Sequence, residues 1–134
     1  MDKLSELRAA VGSDFASLAV VDRRERYTRW KWASGNLNER YLNISVRHGQ
    51  GIEGQIIKVG RGLAWDYEES RKRTDSILLT ERLLSAYAEP VMSGQEIVGI
   101  LLAGDRTRRV YETAERDAVA QAASEIAEFI GGLI

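Results

Sequence analysis

Apolar side chains at Leu4, Leu7 and Val11 repeat at helical spacing and stop at Gly12, which predicts a short amphipathic helix over residues 2–11. The pattern then changes period. Phe15 to Val21 is a continuous apolar run that predicts a buried strand. Thr28 to Ala33 alternates aromatic with basic residues, predicting a second strand beyond the charged connection from Asp22 to Tyr27. Strict alternation puts Trp30 and Trp32 on one face of that strand and Arg29, Lys31 and Ala33 on the other. Ser34 to Asn38 reads as a turn, Glu39 to Leu42 as one helical turn, and Ile44 to Arg47 as a short strand.

The middle of the chain is irregular. Gly49 to Gly54 reads as a glycine-rich turn, Gln55 to Val59 as a short helix stopped by Gly60, and Leu63 to Asp66 as a brief strand. Tyr67 to Asp75, which carries Arg71, Lys72 and Arg73, reads as a polar loop that either stays solvated or closes as a lid. Ser76 to Leu84 reads as helical, with Ile77, Thr80 or Glu81, and Leu84 along one stripe. Ala86 to Met92 and Ile97 to Asp105 are two longer strands joined by a hairpin at Ser93 to Glu96. The second is apolar on both faces and therefore central, while Pro90, the single proline, marks an edge or a bulge. Thr113 caps a last helix that runs to about Phe129, with a stripe of small and apolar residues from Ala118 to Ile130.

The order helix, hairpin, irregular middle, hairpin, helix predicts an α+β domain. Its antiparallel sheet would carry the terminal helices together on one face and the middle segment on the other. At 134 residues the chain is expected to form one domain over 1–134. The stripe on the last helix suits packing on the sheet, and equally a two-fold homodimer through the terminal helices. With 19 basic and 20 acidic side chains the net charge is -1, so no overall field draws in nucleic acid or an acidic membrane. The chain has no cysteine, which removes disulfides, thiolate metal sites, thiol redox chemistry and thioether-linked chromophores. No apolar stretch of signal-peptide length and no run of about 18 apolar residues occurs, so the expected location is cytoplasmic with no membrane partner.

The leading candidate for chemistry is Gly49-Gln50-Gly51-Ile52-Glu53-Gly54. Glycines such as Gly51 let backbone approach a ligand, and a glycine-rich turn entering a helix presents unpaired N–H groups at the positive end of the helix dipole, an arrangement that attracts anions. The same glycines also serve as left-handed turns and close packing points, so the motif by itself leaves both readings open.

At these residues the chain resembles a GAF domain, through Phe15 to Asp22, Gly49 to Gly60, Ala86 to Met92 and Val98-Gly99-Ile100-Leu101. The resemblance spans nearly the whole chain. It implies a small-molecule sensor with a six-stranded antiparallel sheet, terminal helices on one face and a ligand pocket on the other. A narrower likeness, to stand-alone nitrate receptors of the NreA type, rests on Arg29 to Asn38 with its Ala-Ser-Gly-Asn-Leu-Asn string, Val46 to Gly54, and Ile77 to Ser85. That likeness implies nitrate held by the N–H groups of Ile52 and Glu53 beside Gly51, with Trp30 on the wall and Ile77 on the closing segment. It also implies no cofactor, and a sensor histidine kinase as the partner. Two departures stand out: the aromatic-proline pair of the family is missing around Asp75 and Ser76, and Glu53 replaces a small residue. A carboxylate beside a bound anion is repulsive unless it turns away.

The residues argue for binding rather than catalysis. His48 is the single histidine, and no nucleophile stands at a telling spacing from a base. Asp66 with Glu68 or Glu69 could serve acid–base chemistry, although such residues usually line solvated loops. His48 as a haem ligand is outweighed by a turn role beside Gly49. Methionine sulfoxide reduction, which some GAF proteins perform, needs cysteines, and the signature of cyclic-nucleotide GAF domains is absent. The expectation is a receptor for nitrate or a similar small anion. The alternative is a dimerisation or interaction module that binds another metabolite or none.

Overall fold

The doubly apolar run near the C-terminal end lies where its pattern requires, at the middle of the sheet. A computed structural model of the chain describes residues 2–72 and 76–131. Arg73, Asp75 and the Ile130 side chain, all part of the sequence reading, lie outside that description. β1 (Phe15–Asp22), β2 (Tyr27–Ser34), β3 (Ser45–Arg47), β4 (Leu63–Trp65), β5 (Ser85–Ser93) and β6 (Glu96–Asp105) form one antiparallel sheet in the order β3-β2-β1-β6-β5-β4. β6 pairs with β1 and β5 along most of its length, so its backbone groups are satisfied on both sides and both of its faces meet apolar layers.

Those layers are distinct. On one face α1 (Asp2–Val11) and α5 (Thr113–Gly131) pack together, with Leu4, Leu7, Val119, Ala123 and Ile126 against Leu18, Leu101 and Ala103 of the sheet. A Lys3–Glu125 ion pair joins the two helices. On the other face lie α2 (Gly51–Val59), α3 (Tyr67–Ser70), α4 (Ile77–Thr80) and a 3-10 turn at Arg40–Asn43. Ile52, Ile56, Ile77 and Leu78 from these short pieces close over Phe15, Ala19, Ile100 and Leu102. The two-layer arrangement expected from the element order is present, and the fold is α+β.

Three local differences from the sequence reading have physical causes. Between Trp30 and Trp32 the β1–β2 register slips: Ala19 faces Trp30, Leu18 faces Trp32, and Lys31 is the extra residue of a bulge. Because one inserted residue reverses the facing of every later position on the strand, Trp30 is buried on the α2 face while Trp32 joins the α1 side at 37% exposure. The two indoles do not share a wall. Second, the glycine motif is not a turn ahead of a helix at Gln55: α2 already begins at Gly51, with Gln50 as its N-cap, so Ile52 and Glu53 lie in its first turn. Third, the helical run after Ser76 shrinks to α4, capped by the Ser76 hydroxyl accepting from the Leu78 N–H and ended by Arg82 at φ +55°. In the preceding segment, the Asp66 carboxylate caps α3. Pro90 meets both expectations, for β4 pairs only with Ala86–Ala88 and a bulge follows at Val91 and Met92.

Candidate functional site

Three of the five residues singled out from the sequence share one apolar cluster, and the other two stand beside it at the start of α2. Trp30 comes from β2, Gly51, Ile52 and Glu53 from the first turn of α2, and Ile77 from the first position of α4. Trp30, Ile52 and Ile77 belong to one apolar cluster, in which Tyr41 and Trp65 also stand. A second indole therefore does line this face, but it is Trp65 of β4, whose Nε1–H donates to Gln55 Oε1 at 3.0 Å. The brief strand was read from the sequence, and its signal for Trp65 was the alternation Leu63-Ala64-Trp65, which turns the tryptophan inward.

Glu53 is the acidic residue packed beside this cluster. An acidic residue in the first turn of a helix ordinarily stays in solvent, where it complements the dipole. Here the side chain turns inward to 1% exposure, and its Oε2 accepts a 2.8 Å hydrogen bond from the Trp30 Nε1–H. Gly51 accommodates it twice. Its φ of +67° starts the helix in a conformation that a side chain disfavours, and a Cβ there would stand 2.6 Å from Glu53 Oε1. A planar, two-oxygen group of the chain's own thus stands between an indole donor and the start of α2. Burying such a group is costly without hydrogen bonds, and the Trp30 donor offsets part of that cost.

A second buried carboxylate ties the roof of this layer to its surroundings. Glu81, fully buried just past α4, accepts through Oε1 from Arg106 at 2.7 Å and from the Leu37 N–H at 2.9 Å. Arg106 also donates to the backbone oxygens of Glu81, at 2.9 Å, and Gly35, at 3.2 Å. The Gly35–Leu37 turn, α4 and the end of β6 are thereby joined. Burial, then Glu39 beside it and Glu81 farther off, push the Tyr41 phenol above its usual range. Sequence periodicity offered Glu81, as an alternative to Thr80, on the stripe with Ile77 and Leu84, but held no signal for Arg106, which lies past the end of β6.

A separate cleft of about 610 Å³ opens on the surface between the tips of the β1–β2 and β5–β6 hairpins and α2, lined by Val21, Arg26, His48, Gly54, Lys58 and Ile97 among others. None of the five sequence-selected residues lines it. Arg23 at its rim is paired with Glu96 at 2.7 Å. Among the described residues there is no group of three or more His, Asp or Glu side chains placed to hold a metal ion.

No family model matches the sequence, and neither does any curated protein. Solved structures do match. The GAF domain of an Acinetobacter phosphoenolpyruvate-protein phosphotransferase superposes at a TM-score of 0.83 over 96% of this chain and 78% of that one, at 16% identity. The fold is that of a GAF domain. The NreA protein of Staphylococcus aureus, in a form mutated at its nitrate binding site, is 29% identical and superposes at 0.70, covering 84% of this chain and 86% of its own. A free methionine-R-sulfoxide reductase from Neisseria meningitidis shares the GAF fold at 0.74 and 19% identity, over 96% of this chain and 72% of its own. These neighbours share the GAF fold, and one of them is a protein with a nitrate binding site. No helix among the described residues is long and apolar enough to cross a membrane.

Proposed function

We propose that the chain is a cytoplasmic receptor for a small planar anion of the nitrate class, taken between Trp30, the Gly51–Glu53 turn of α2 and Ile77, and that its occupancy modulates a sensor histidine kinase. The observation that carries this reading is the indole N–H of Trp30 bound to a buried planar group with two oxygens, the Glu53 carboxylate, beside an apolar cluster. Nitrate has the same charge and planar shape, and its weak hydration makes transfer into such surroundings less costly than for a strongly hydrated ion. The likeness to NreA supports the choice of anion. Binding rather than catalysis is favoured because the single histidine lines the surface cleft, while the buried carboxylates of this layer are engaged, Glu53 by Trp30 and Glu81 by Arg106 and Leu37. Ile77 opens α4, and α4 is tied through Glu81 and Arg106 to the end of β6, so a change at Ile77 has a physical route toward α5.

One observation favours a second reading, a GAF-fold interaction or dimerisation module without a free ligand: Trp30, Ile52, Glu53 and Ile77 are all buried, and the Trp30 donor is already taken by Glu53. Isothermal titration of nitrate into protein in chloride-free buffer, with nitrite and chloride as controls, separates the two. The receptor reading expects saturable, one-site, nitrate-selective binding, and a thermal stabilisation that reaches about 2.7 kcal/mol at a hundredfold excess over Kd. A module expects neither, and a flat titration of the native chain would move the conclusion to it.

A further inference from the structure

We propose that the Glu53 carboxylate is a tethered occupant of the anion seat, which a free anion must displace before it binds; this inference rests on the receptor reading above. Glu53 points inward for a local reason. A glutamate at the third position of a helix commonly reaches back to the N–H of the N-cap residue. In α2 that donor is taken, because the Gln50 N–H donates to the Arg47 carbonyl at 3.1 Å. The carboxylate instead meets the Trp30 indole at 2.8 Å and rests over Gly51, where a Cβ would intrude on Oε1.

An indole has one N–H and can serve one acceptor well. A free anion seated on Trp30 and the Glu53 carboxylate in its present position therefore exclude each other, by that shared donor and by charge. The two groups are also alike in shape, each a planar trigonal centre with oxygens. A competitor carried on the same chain acts at an effective concentration in the millimolar range or above for a short tether, so it lowers apparent affinity without altering the seat itself. Displacement would carry a buried negative charge from beside Trp30 toward the solvent end of α2. The event therefore changes the packing of the helix that covers the sheet, and occupancy becomes a structural signal.

The test compares nitrate titrations of the native chain, Glu53→Ala and Glu53→Gln in chloride-free buffer, with circular dichroism and urea unfolding to establish that each is folded. Glu53→Ala empties the seat. Glu53→Gln removes the charge but keeps a planar group of the same size on Trp30. The expected result is Kd lowered about tenfold or more in Glu53→Ala and much less in Glu53→Gln. Equal gains in both variants would overturn occupancy in favour of simple charge repulsion. Native binding with no gain in Glu53→Ala would overturn the inference while leaving the receptor reading intact. Binding by Glu53→Ala alone would overturn displacement in the native chain and, with it, the reading of nitrate as that chain's ligand. No binding by any of the three would remove both. If Glu53→Ala fails to fold, Glu53→Ser takes its place, and the Trp30 indole proton resonance must shift when nitrate is added.

Discussion

Asp105 shows how much one buried side chain can organise. Its carboxylate accepts from the Asp14 N–H at 3.1 Å, from the Tyr111 hydroxyl at 2.7 Å and from Arg109 at 3.2 Å, so the end of β6, the start of β1 and the approach to α5 share one acceptor. Burial first, and then the hydrogen bond to Asp105, hold the Tyr111 phenol far above the ordinary tyrosine value of 10. Tyr87 is raised in the same direction, by burial and then by its hydrogen bond to Glu89. In each case the native state keeps a proton that the unfolded chain gives up near pH 10. The stabilisation is complete below that pH and is lost as pH rises through it toward the native value. Urea unfolding at about pH 8 and about pH 11 should therefore show a steep alkaline loss. Tyr111→Phe should cost about 1 kcal/mol at the lower pH and show a shallower loss at the higher, with the Tyr87 share remaining. An equally steep loss in the variant would remove Tyr111 as its source.

At the scale of elements, α2 depends on two glycines for different reasons. A Cβ on Gly54 would lie 2.6 Å from the Gly49 carbonyl carbon, whereas Gly60 has open space around it and a φ of +72°. Gly54→Ala should cost about 2 kcal/mol and shift tryptophan emission, because the start of α2 must move away from Trp30. Gly60→Ala should cost about 1 kcal/mol for the left-handed backbone and leave the emission unchanged. Urea titration followed by fluorescence reads both quantities. The same element shows what the sequence could and could not convey. Strands and terminal helices were legible because side-chain period follows directly from backbone geometry, and the meeting of Trp30, Ile52 and Ile77 followed from family likeness laid over that pattern. The start of α2 was hidden, since glycines have low helix propensity and only packing against Gly49 makes Gly54 preferable to alanine. The Lys31 bulge was hidden because an inserted residue leaves the local alternation intact and reverses only its facing. The inward turn of Glu53 was hidden because it depends on Arg47 having taken the usual partner.

For the whole molecule, Arg106 is the point where distant parts converge. Its backbone N–H donates to Asp14, and its guanidinium holds Gly35 and Glu81. Arg106→Ala would leave the fully buried Glu81 carboxylate with its charge uncompensated, at a cost of about 3 kcal/mol. Amide exchange should speed up at Leu37 and through α4 before it changes in β6. Uniform acceleration would instead mean that the pair supports the fold as a unit and does not latch α4 in place. The outline of the sheet carries a further consequence. Both outer strands, β3 and β4, are three residues long, and the stretch of β5 that runs past β4 holds Pro90 and a bulge. A visiting chain that tried to extend the sheet past β4 would find few consecutive free donors and acceptors there. Recognition by strand addition is therefore disfavoured at that rim, where a binding protein would have to grip helices and loops.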